Sequence, residues 1–143
     1  METAGAPTRI EHIGIAVKDL TAAISTYEKL LGVRCYAVEE VPDQSVRTAF
    51  FRLGESKIEL LESTSPDGPI AKFIARRGEG IHHIAFAVGD IRTALLDLIS
   101  GGVRLIDSEP RKGAEGLSIA FIHPHSACGV LTEITEVSPQ PHD

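Results

Sequence analysis

Two histidines and two glutamates stand at matching places in otherwise apolar stretches of the sequence. His12 opens the segment HIGIAV, and His83 opens HIAFAV. Glu59 interrupts the apolar stretch KIELL, and Glu133 interrupts VLTEI. A carboxylate inside an apolar strand costs several kcal/mol to desolvate unless it is paired or bound to a cation. Two imidazoles and two carboxylates suit a divalent ion such as Co²⁺, Mn²⁺, Ni²⁺, Zn²⁺ or Mg²⁺, and they leave room for water or a chelating substrate.

The matching places arise from an internal duplication. The segment 12–23 aligns with the segment 83–94 at a shift of 71 residues, and identical residues include both histidines and the aspartates Asp19 and Asp90. In each copy an apolar strand pattern leads to an aspartate that can cap a following helix. The two histidines therefore begin equivalent strands, and the two glutamates lie in equivalent last strands of the two copies.

Hydrophobic periodicity and turn residues predict the same element order in both copies. For the first copy we expect a strand, a helix and three strands at 10–17, 20–31, 33–40, 45–53 and 57–62. For the second copy we expect the same order at 81–88, 91–100, Val103–Asp107, 117–123 and 129–136. A short connector helix is expected between them, at 70–77.

These elements predict an α+β fold in which two tandem βαβββ modules form half-sheets that curl around a shared metal-binding cleft. The 143 residues are expected to form a single domain. Within it we expect module one at about 9–63, the connector helix at about 68–77 and module two at about 80–137.

Other polar residues allow two interpretations each. Alternation along a strand predicts that His82 points away from the face of His83, so the repeat favours His83 as the ligand. Arg111 and Lys112 are candidates for binding phosphates, and a solvated basic pair is the alternative. His123 lies in a loop beside a proline, where a turn role and a substrate contact are both open. Any one strand histidine or glutamate, taken alone, is more often a surface residue.

Composition narrows the classes of partner. The formal charge is −6 without a long basic run, which argues against binding nucleic acid. Neither a signal peptide nor a window of about 20 apolar residues is present, so we expect a soluble protein without a membrane partner. The two cysteines have no paired spacing, which favours a reducing, cytoplasmic location.

Several segments resemble the vicinal oxygen chelate superfamily, which contains glyoxalases, bleomycin-resistance proteins and dioxygenases, and within it the family of methylmalonyl-CoA epimerases. The segments are HIGIAV, KIELLE, SPDGPIAKFI, GIHHIA, FIHP and GVLTEI. The resemblance implies interconversion of (R)- and (S)-methylmalonyl-CoA in propionate metabolism, by proton abstraction and return at C2 through a metal-stabilised enolate. It also implies a divalent metal, with cobalt favoured, an acyl-CoA substrate and a homodimer.

The resemblance assigns the metal to His12, Glu59, His83 and Glu133, and it makes Glu133 one catalytic base. Some family members carry a second glutamate in the third strand, where this chain has Thr48, which cannot act as a carboxylate base. Some of the same members have glutamine where this chain has Glu59. Our hypothesis is that Glu59 is the second base. Thr48, with Arg111, Lys112 and His123, is a candidate substrate contact.

Two other classes of function stay open at this point. One is a different enzyme on the same scaffold, such as a glyoxalase-type isomerase or another acyl-CoA epimerase. The other is a binding module without catalysis, which would not need to keep four metal ligands. Metal content separates the binding module from the enzymes, and turnover of a thioester rather than a hemithioacetal separates the two enzymes.

Overall fold

The structure is a computed structural model that describes residues 5–138. Among these residues, internal contacts define two compact units. The central unit comprises residues 12–83, and the terminal unit comprises residues 5–11 with 84–138. The predicted single domain with its module boundaries stays a prediction. No helix between residues 5 and 138 has the length and apolar character needed to cross a membrane.

The elements up to the connector helix are strands and helices in the predicted order. They are β1 (Arg9–Ala16), α1 (Leu20–Leu31), β2 (Ala37–Val41), β3 (Val46–Leu53), β4 (Ser56–Ser63) and α2 (Pro69–Arg77). The strand order is β2-β3-β4-β1. β1 runs parallel to β4, and β3 is antiparallel to both β2 and β4. The parallel pair fits a strand–helix connection, because a crossover is needed to bring the chain back in the same direction.

The later elements repeat this plan. They are β5 (Gly80–Val88), α3 (Ile91–Ser100), β6 (Arg111–Lys112), β7 (Ser118–Ile122) and β8 (Thr132–Glu136). Their order is β5-β8-β7-β6, with β8 parallel to β5 and antiparallel to β7. The predicted α+β class and the two βαβββ modules are therefore confirmed.

The two long helices begin at the predicted aspartates. The Asp19 carboxylate accepts a hydrogen bond from the Ala22 backbone N–H, and Asp90 accepts one from Thr93, both at 3.1 Å. The hydrogen bonds from Thr93 lower the pKa of Asp90 below its ordinary value. α1 ends at Gly32, whose φ of 68° is a left-handed conformation that glycine adopts at little cost. Local sequence thus determines where these helices start and stop.

Each sheet segment has an apolar face that packs on a helix. In the central unit, Ile15, Ile58 and Leu60 join the cluster that includes Leu20 of α1. In the terminal unit, Val88 and Ile134 pack with α3 in a second cluster. Successive strand residues point to opposite faces. The residues between these apolar positions therefore lie on the sheet face away from the helices, and they include His12, Gly14, Lys57, Glu59 and, in the terminal unit, Ala85 and Glu133.

The segment that precedes β1 packs within the terminal unit. The Thr8 backbone N–H donates to the Ala87 carbonyl at 2.9 Å, and the Gly5 N–H points to the Asp97 carboxylate at 3.3 Å. A Cβ added to Gly5 would lie 2.6 Å from the Ala94 Cα, so this glycine lets the chain approach α3 closely. Residues 5–8 are thus part of the unit built mainly from the second half of the chain.

The predicted strand Val103–Asp107 is wrong. Only an isolated bridge joins Leu105 to Ile122, and the Asp107 side chain accepts a hydrogen bond from the Phe121 N–H at 2.9 Å. A carboxylate thus takes the place of a backbone carbonyl there, which ends regular pairing. The edge of this sheet segment is instead β6, which lies between the strands predicted at Val103–Asp107 and 117–123. β2 also starts later than predicted, at Ala37.

Candidate metal centre

Three of the four predicted metal ligands meet in the central unit. Nε2 of His12 lies 3.0 Å from Nε2 of His83, and Nδ1 of His12 lies 3.1 Å from a carboxylate oxygen of Glu59. The three side chains come from β1, β4 and β5. All three residues are buried, with at most 5% of their surface exposed. The structure thus brings together residues that are far apart in the sequence.

The pKa values of His82 and His83 lie below the ordinary value for histidine. Burial, followed by the charges of His12 and His82, lowers the pKa of His83 well below its ordinary value. Burial also lowers the pKa of His82 to about 4. A neutral imidazole has one nitrogen with a free lone pair, which is the form that binds a metal ion. The rings are therefore ready to act as ligands at neutral pH.

Lys57 is a buried cation beside this cluster that the sequence argument missed. Its Nζ lies 3.6 Å from the Glu59 carboxylate and 5.7 Å from the centre of the Phe50 ring. Only 3% of its surface is exposed. Lys57 and Glu59 are two residues apart in β4, so alternation puts both side chains on one face. That spacing inside an apolar strand was the signal that could have identified it.

We expect Lys57→Met to lower the free energy of unfolding by about 3–5 kcal/mol, because it leaves the buried Glu59 carboxylate without its ammonium neighbour. Urea denaturation measures this change. The control is Lys72→Met on the exposed side of α2, which should stay within about 0.5 kcal/mol of the unsubstituted protein. Equal stability of the two variants would show that Lys57 does not stabilise the buried carboxylate.

Gly14 is a second residue that the sequence argument missed. A Cβ at this position would lie 2.6 Å from Nδ1 and 2.8 Å from Nε2 of His83, and closer still to Cε1. The His83 ring therefore occupies the space above β1 that a side chain at position 14 would fill. The residue that aligns with Gly14 in the second copy is Ala85. Comparison of the two copies therefore does not show that position 14 must be a glycine.

His82 lies against His83, although alternation directs their Cβ atoms to opposite faces of β5. The two Nδ1 atoms are 2.9 Å apart, and the rings meet edge to face with centres 5.2 Å apart. Alternation describes the directions in which the two Cβ atoms leave the strand. Nδ1 is close to the backbone, however, so two successive rings can still bring these atoms together. The preference for His83 over His82 as the metal ligand stays a prediction.

Glu133 is buried in the terminal unit on the sheet face away from α3. The Thr135 hydroxyl donates a hydrogen bond of 2.6 Å to one of its carboxylate oxygens. In the β5–β8 pairing Glu133 lies opposite Ala85. In the β1–β4 pairing Glu59 lies opposite Gly14, the residue that aligns with Ala85. The two glutamates therefore have the same register in the two modules.

The four candidate substrate contacts have different surroundings. Thr48 is fully buried in β3, opposite Leu61 and on the same face as Glu59. Nε of Arg111 lies 3.4 Å from a carboxylate oxygen of Asp107. Lys112 is exposed on β6. Nδ1 of His123 accepts the His125 backbone N–H at 3.0 Å, which is a turn role. Substrate contact by these residues stays a prediction.

The cluster in the central unit fits a divalent metal ion. Its members are of the residue types that bind such ions, and His12 lies between the other two, with His83 at its Nε2 and Glu59 at its Nδ1. A histidine nitrogen binds a divalent ion at about 2.1 Å, so two such nitrogens at right angles around one ion are about 3.0 Å apart. Nε2 of His12 and Nε2 of His83 have this separation. Neutral imidazoles and a carboxylate suit ions of intermediate hardness.

Comparison with known protein families agrees with this fold. The model of the Glyoxalase/Bleomycin resistance protein/Dioxygenase superfamily matches residues 11–121. The match covers more than half of the chain, so the chain belongs to this superfamily. The resemblance of the sequence to the superfamily is confirmed.

Curated relatives narrow the family. The ethylmalonyl-CoA/methylmalonyl-CoA epimerase of Cereibacter sphaeroides is 40% identical, over 90% of this chain and 98% of the relative. The mitochondrial methylmalonyl-CoA epimerase of Homo sapiens is 36% identical, over 90% of this chain and 73% of the relative. A solved Streptomyces coelicolor methylmalonyl-CoA epimerase variant, in complex with 2-nitronate-propionyl-CoA, has a TM-score of 0.90 and 38% identity, covering 95% of this chain and 100% of that one. Within the superfamily, the chain is a member of the methylmalonyl-CoA epimerase family.

Proposed function

We propose that the protein is a metal-dependent epimerase that interconverts (R)- and (S)-methylmalonyl-CoA by removing and returning the proton at C2. The observation that carries the proposal is the buried contact of His12 with both Glu59 and His83, in a chain of this family. Imidazoles and a carboxylate that meet in a buried place are of the residue types that bind divalent ions, which supports the proposal.

We propose His12, Glu59, His83 and Glu133 as the metal ligands. For the first three the support is their proximity in the central unit. For Glu133 the support is its register: it occupies in β8 the position that Glu59 occupies in β4.

The two carboxylates are proposed as the bases. A bound divalent ion would polarise the thioester and carboxylate oxygens of the substrate and so weaken the C–H bond at C2. Inversion requires one base on each face of that carbon, since the proton leaves one face and returns to the other. The Thr135 hydroxyl donates a hydrogen bond to one oxygen of Glu133 and so orients this proposed base. Lys57 offsets the charge of Glu59.

The finer aspects of the proposal come from the family resemblance. We propose cobalt as the favoured ion, a homodimer as the assembly, the cytoplasm as the location and propionate metabolism as the context. Ethylmalonyl-CoA is a second substrate to test, since the name of the Cereibacter sphaeroides relative includes it.

The proposed function predicts metal-dependent exchange of the C2 proton. Protein loaded with Co²⁺ is incubated with (R)- or (S)-methylmalonyl-CoA in deuterated water, and both deuterium entry and inversion at C2 are followed. We expect exchange together with inversion from either epimer, and loss of both after chelation. A sample of the chelated protein to which Co²⁺ is returned serves as the control and should regain both.

Three results would contradict the proposal in different ways. Exchange without inversion would mean that only one face has a base. Inversion that persists after complete metal removal would exclude the metal from catalysis. Absence of exchange in Co²⁺-loaded protein would favour a glyoxalase-type isomerase, which turnover of a hemithioacetal would then test.

A further inference from the structure

We propose that His82 is a positioning residue for the metal centre, which it serves by accepting a hydrogen bond from Nδ1 of His83. The inference rests on the proposed function, because it takes His83 to be a metal ligand. It adds a role for a residue that is outside the proposed ligand set and that does not contact the substrate in the proposed mechanism.

The contacts of the His83 ring carry the inference. Its Nε2 faces His12 at 3.0 Å, and its Nδ1 faces Nδ1 of His82 at 2.9 Å. The two ring nitrogens of His83 thus have different partners on opposite sides. If Nε2 binds the ion, the ring proton must be on Nδ1. That N–H then points at the His82 nitrogen, which can accept it as a neutral ring.

The His82 ring is itself held by the connector helix. Phe73 of α2 meets it edge to face, with ring centres 5.1 Å apart. The guanidinium of Arg77 lies over the Phe73 ring, 5.8 Å from its centre. A chain of contacts therefore runs from α2 through Phe73 and His82 to His83. Because Phe73 restrains the His82 ring, the acceptor has a fixed position before any metal binds.

A fixed acceptor has a known effect on a metal-bound histidine. It selects the ring tautomer, orients the ring and makes the ligand nitrogen more basic. Loss of such a partner typically lowers metal affinity about 10- to 100-fold. We therefore expect His82 to act on the affinity for the ion rather than on the stability of the fold.

Two substitutions separate the role of His82 as a hydrogen-bond acceptor from the role of its ring in packing. His82→Phe keeps a ring that can meet Phe73 edge to face but removes the acceptor. His82→Asn loses the ring but can place an amide oxygen close to the position of Nδ1. We expect Co²⁺ to bind His82→Phe about 10- to 100-fold more weakly than the unsubstituted protein, and His82→Asn to regain most of that loss. Affinity is measured by competition with a chelator, and the thermal midpoint of the metal-free variants checks folding.

Two affinity results would overturn the inference. Unchanged Co²⁺ affinity in His82→Phe would show that the acceptor is not needed. Equally weak binding by both variants would show that the ring fills space and that its nitrogen does not matter. If the unsubstituted protein does not bind Co²⁺, the metal centre of the proposed function fails, and the inference fails with it.

A measurement on the unsubstituted protein covers the case in which His82→Phe does not fold. Nitrogen-15 NMR of histidine-labelled protein, loaded with diamagnetic Zn²⁺, reports which ring nitrogens carry protons. We expect the His83 proton on Nδ1 and the His82 proton on Nε2, with Nδ1 of His82 free to accept. A proton on Nδ1 of His82 in the Zn²⁺-loaded protein would overturn the inference while leaving the proposed metal centre intact.

Discussion

Glu59→Gln and Glu133→Gln are each expected to slow inversion at C2 strongly, while each leaves proton exchange for one epimer only. Glutamine keeps an amide oxygen for the metal but cannot take a proton. The remaining carboxylate can still remove the proton from the epimer that faces it and return deuterium to the same face. We expect inversion to fall by about 10²- to 10⁴-fold, the usual contribution of a general base.

The epimer whose C2 proton Glu59→Gln still exchanges should be the one whose C2 proton Glu133→Gln no longer exchanges, and the reverse should hold for the other epimer. The experiment starts from pure (R)- or (S)-methylmalonyl-CoA in deuterated water at saturating Co²⁺ and measures retained and inverted product separately. Glu40→Gln on the exposed side of β2 is the matched control, and it should behave as the unsubstituted protein. If Glu59→Gln retains full inversion, Glu59 is only a ligand and the second base lies elsewhere.

Gly14→Ala should have the next largest effect. The new Cβ would lie 2.6 Å from Nδ1 of His83, so the imidazole or the strand must move. Overpacking of this kind costs about 1–3 kcal/mol of stability. A displacement of about 1 Å in a site can cost about 10²-fold in rate. We expect losses of that order in epimerase kcat/KM, together with weaker Co²⁺ binding.

Gly89→Ala is the control for this substitution. Gly89 is exposed, has no neighbouring atom within 4 Å of an added Cβ and does not have a left-handed φ. It aligns with Lys18 of the first copy, so the repeat already accepts a side chain there. The test compares Co²⁺ affinity and activity in the two alanine variants. If they match, the space above position 14 is not needed for His83.

The sequence predicts the helices better than the strand edges, for a physical reason. α1 and α3 have the predicted bounds because Asp19 and Asp90 satisfy the first backbone N–H groups from within three residues. The strand predicted at Val103–Asp107 fails because its hydrogen bonds depend on Phe121, a residue beyond the next loop. The strand propensity of residues 103–107 contains no information on so distant a partner.

The same distinction applies to the candidate site. His12, His83 and Glu59 could be predicted as candidate ligands because their residue types and the internal duplication are visible in the sequence. The structure brings the three residues together. Gly14 and His82 could not be identified, because their roles depend on where the His83 ring lies after folding. Alternation gives the direction of each Cβ, but it does not give the rotation of an imidazole about χ1 and χ2.

The division of the chain into contact units has a consequence for its synthesis on the ribosome. The central unit, residues 12–83, is continuous, so all the residues it needs have been made before α3 is translated. The terminal unit also includes residues 5–11, which are made before the central unit and must wait for their partners near Ala87 and α3. Closing that long loop carries an entropic cost that local contacts do not. During vectorial folding, the cluster of His12, Glu59 and His83 can therefore form before Glu133 has been added to the nascent chain.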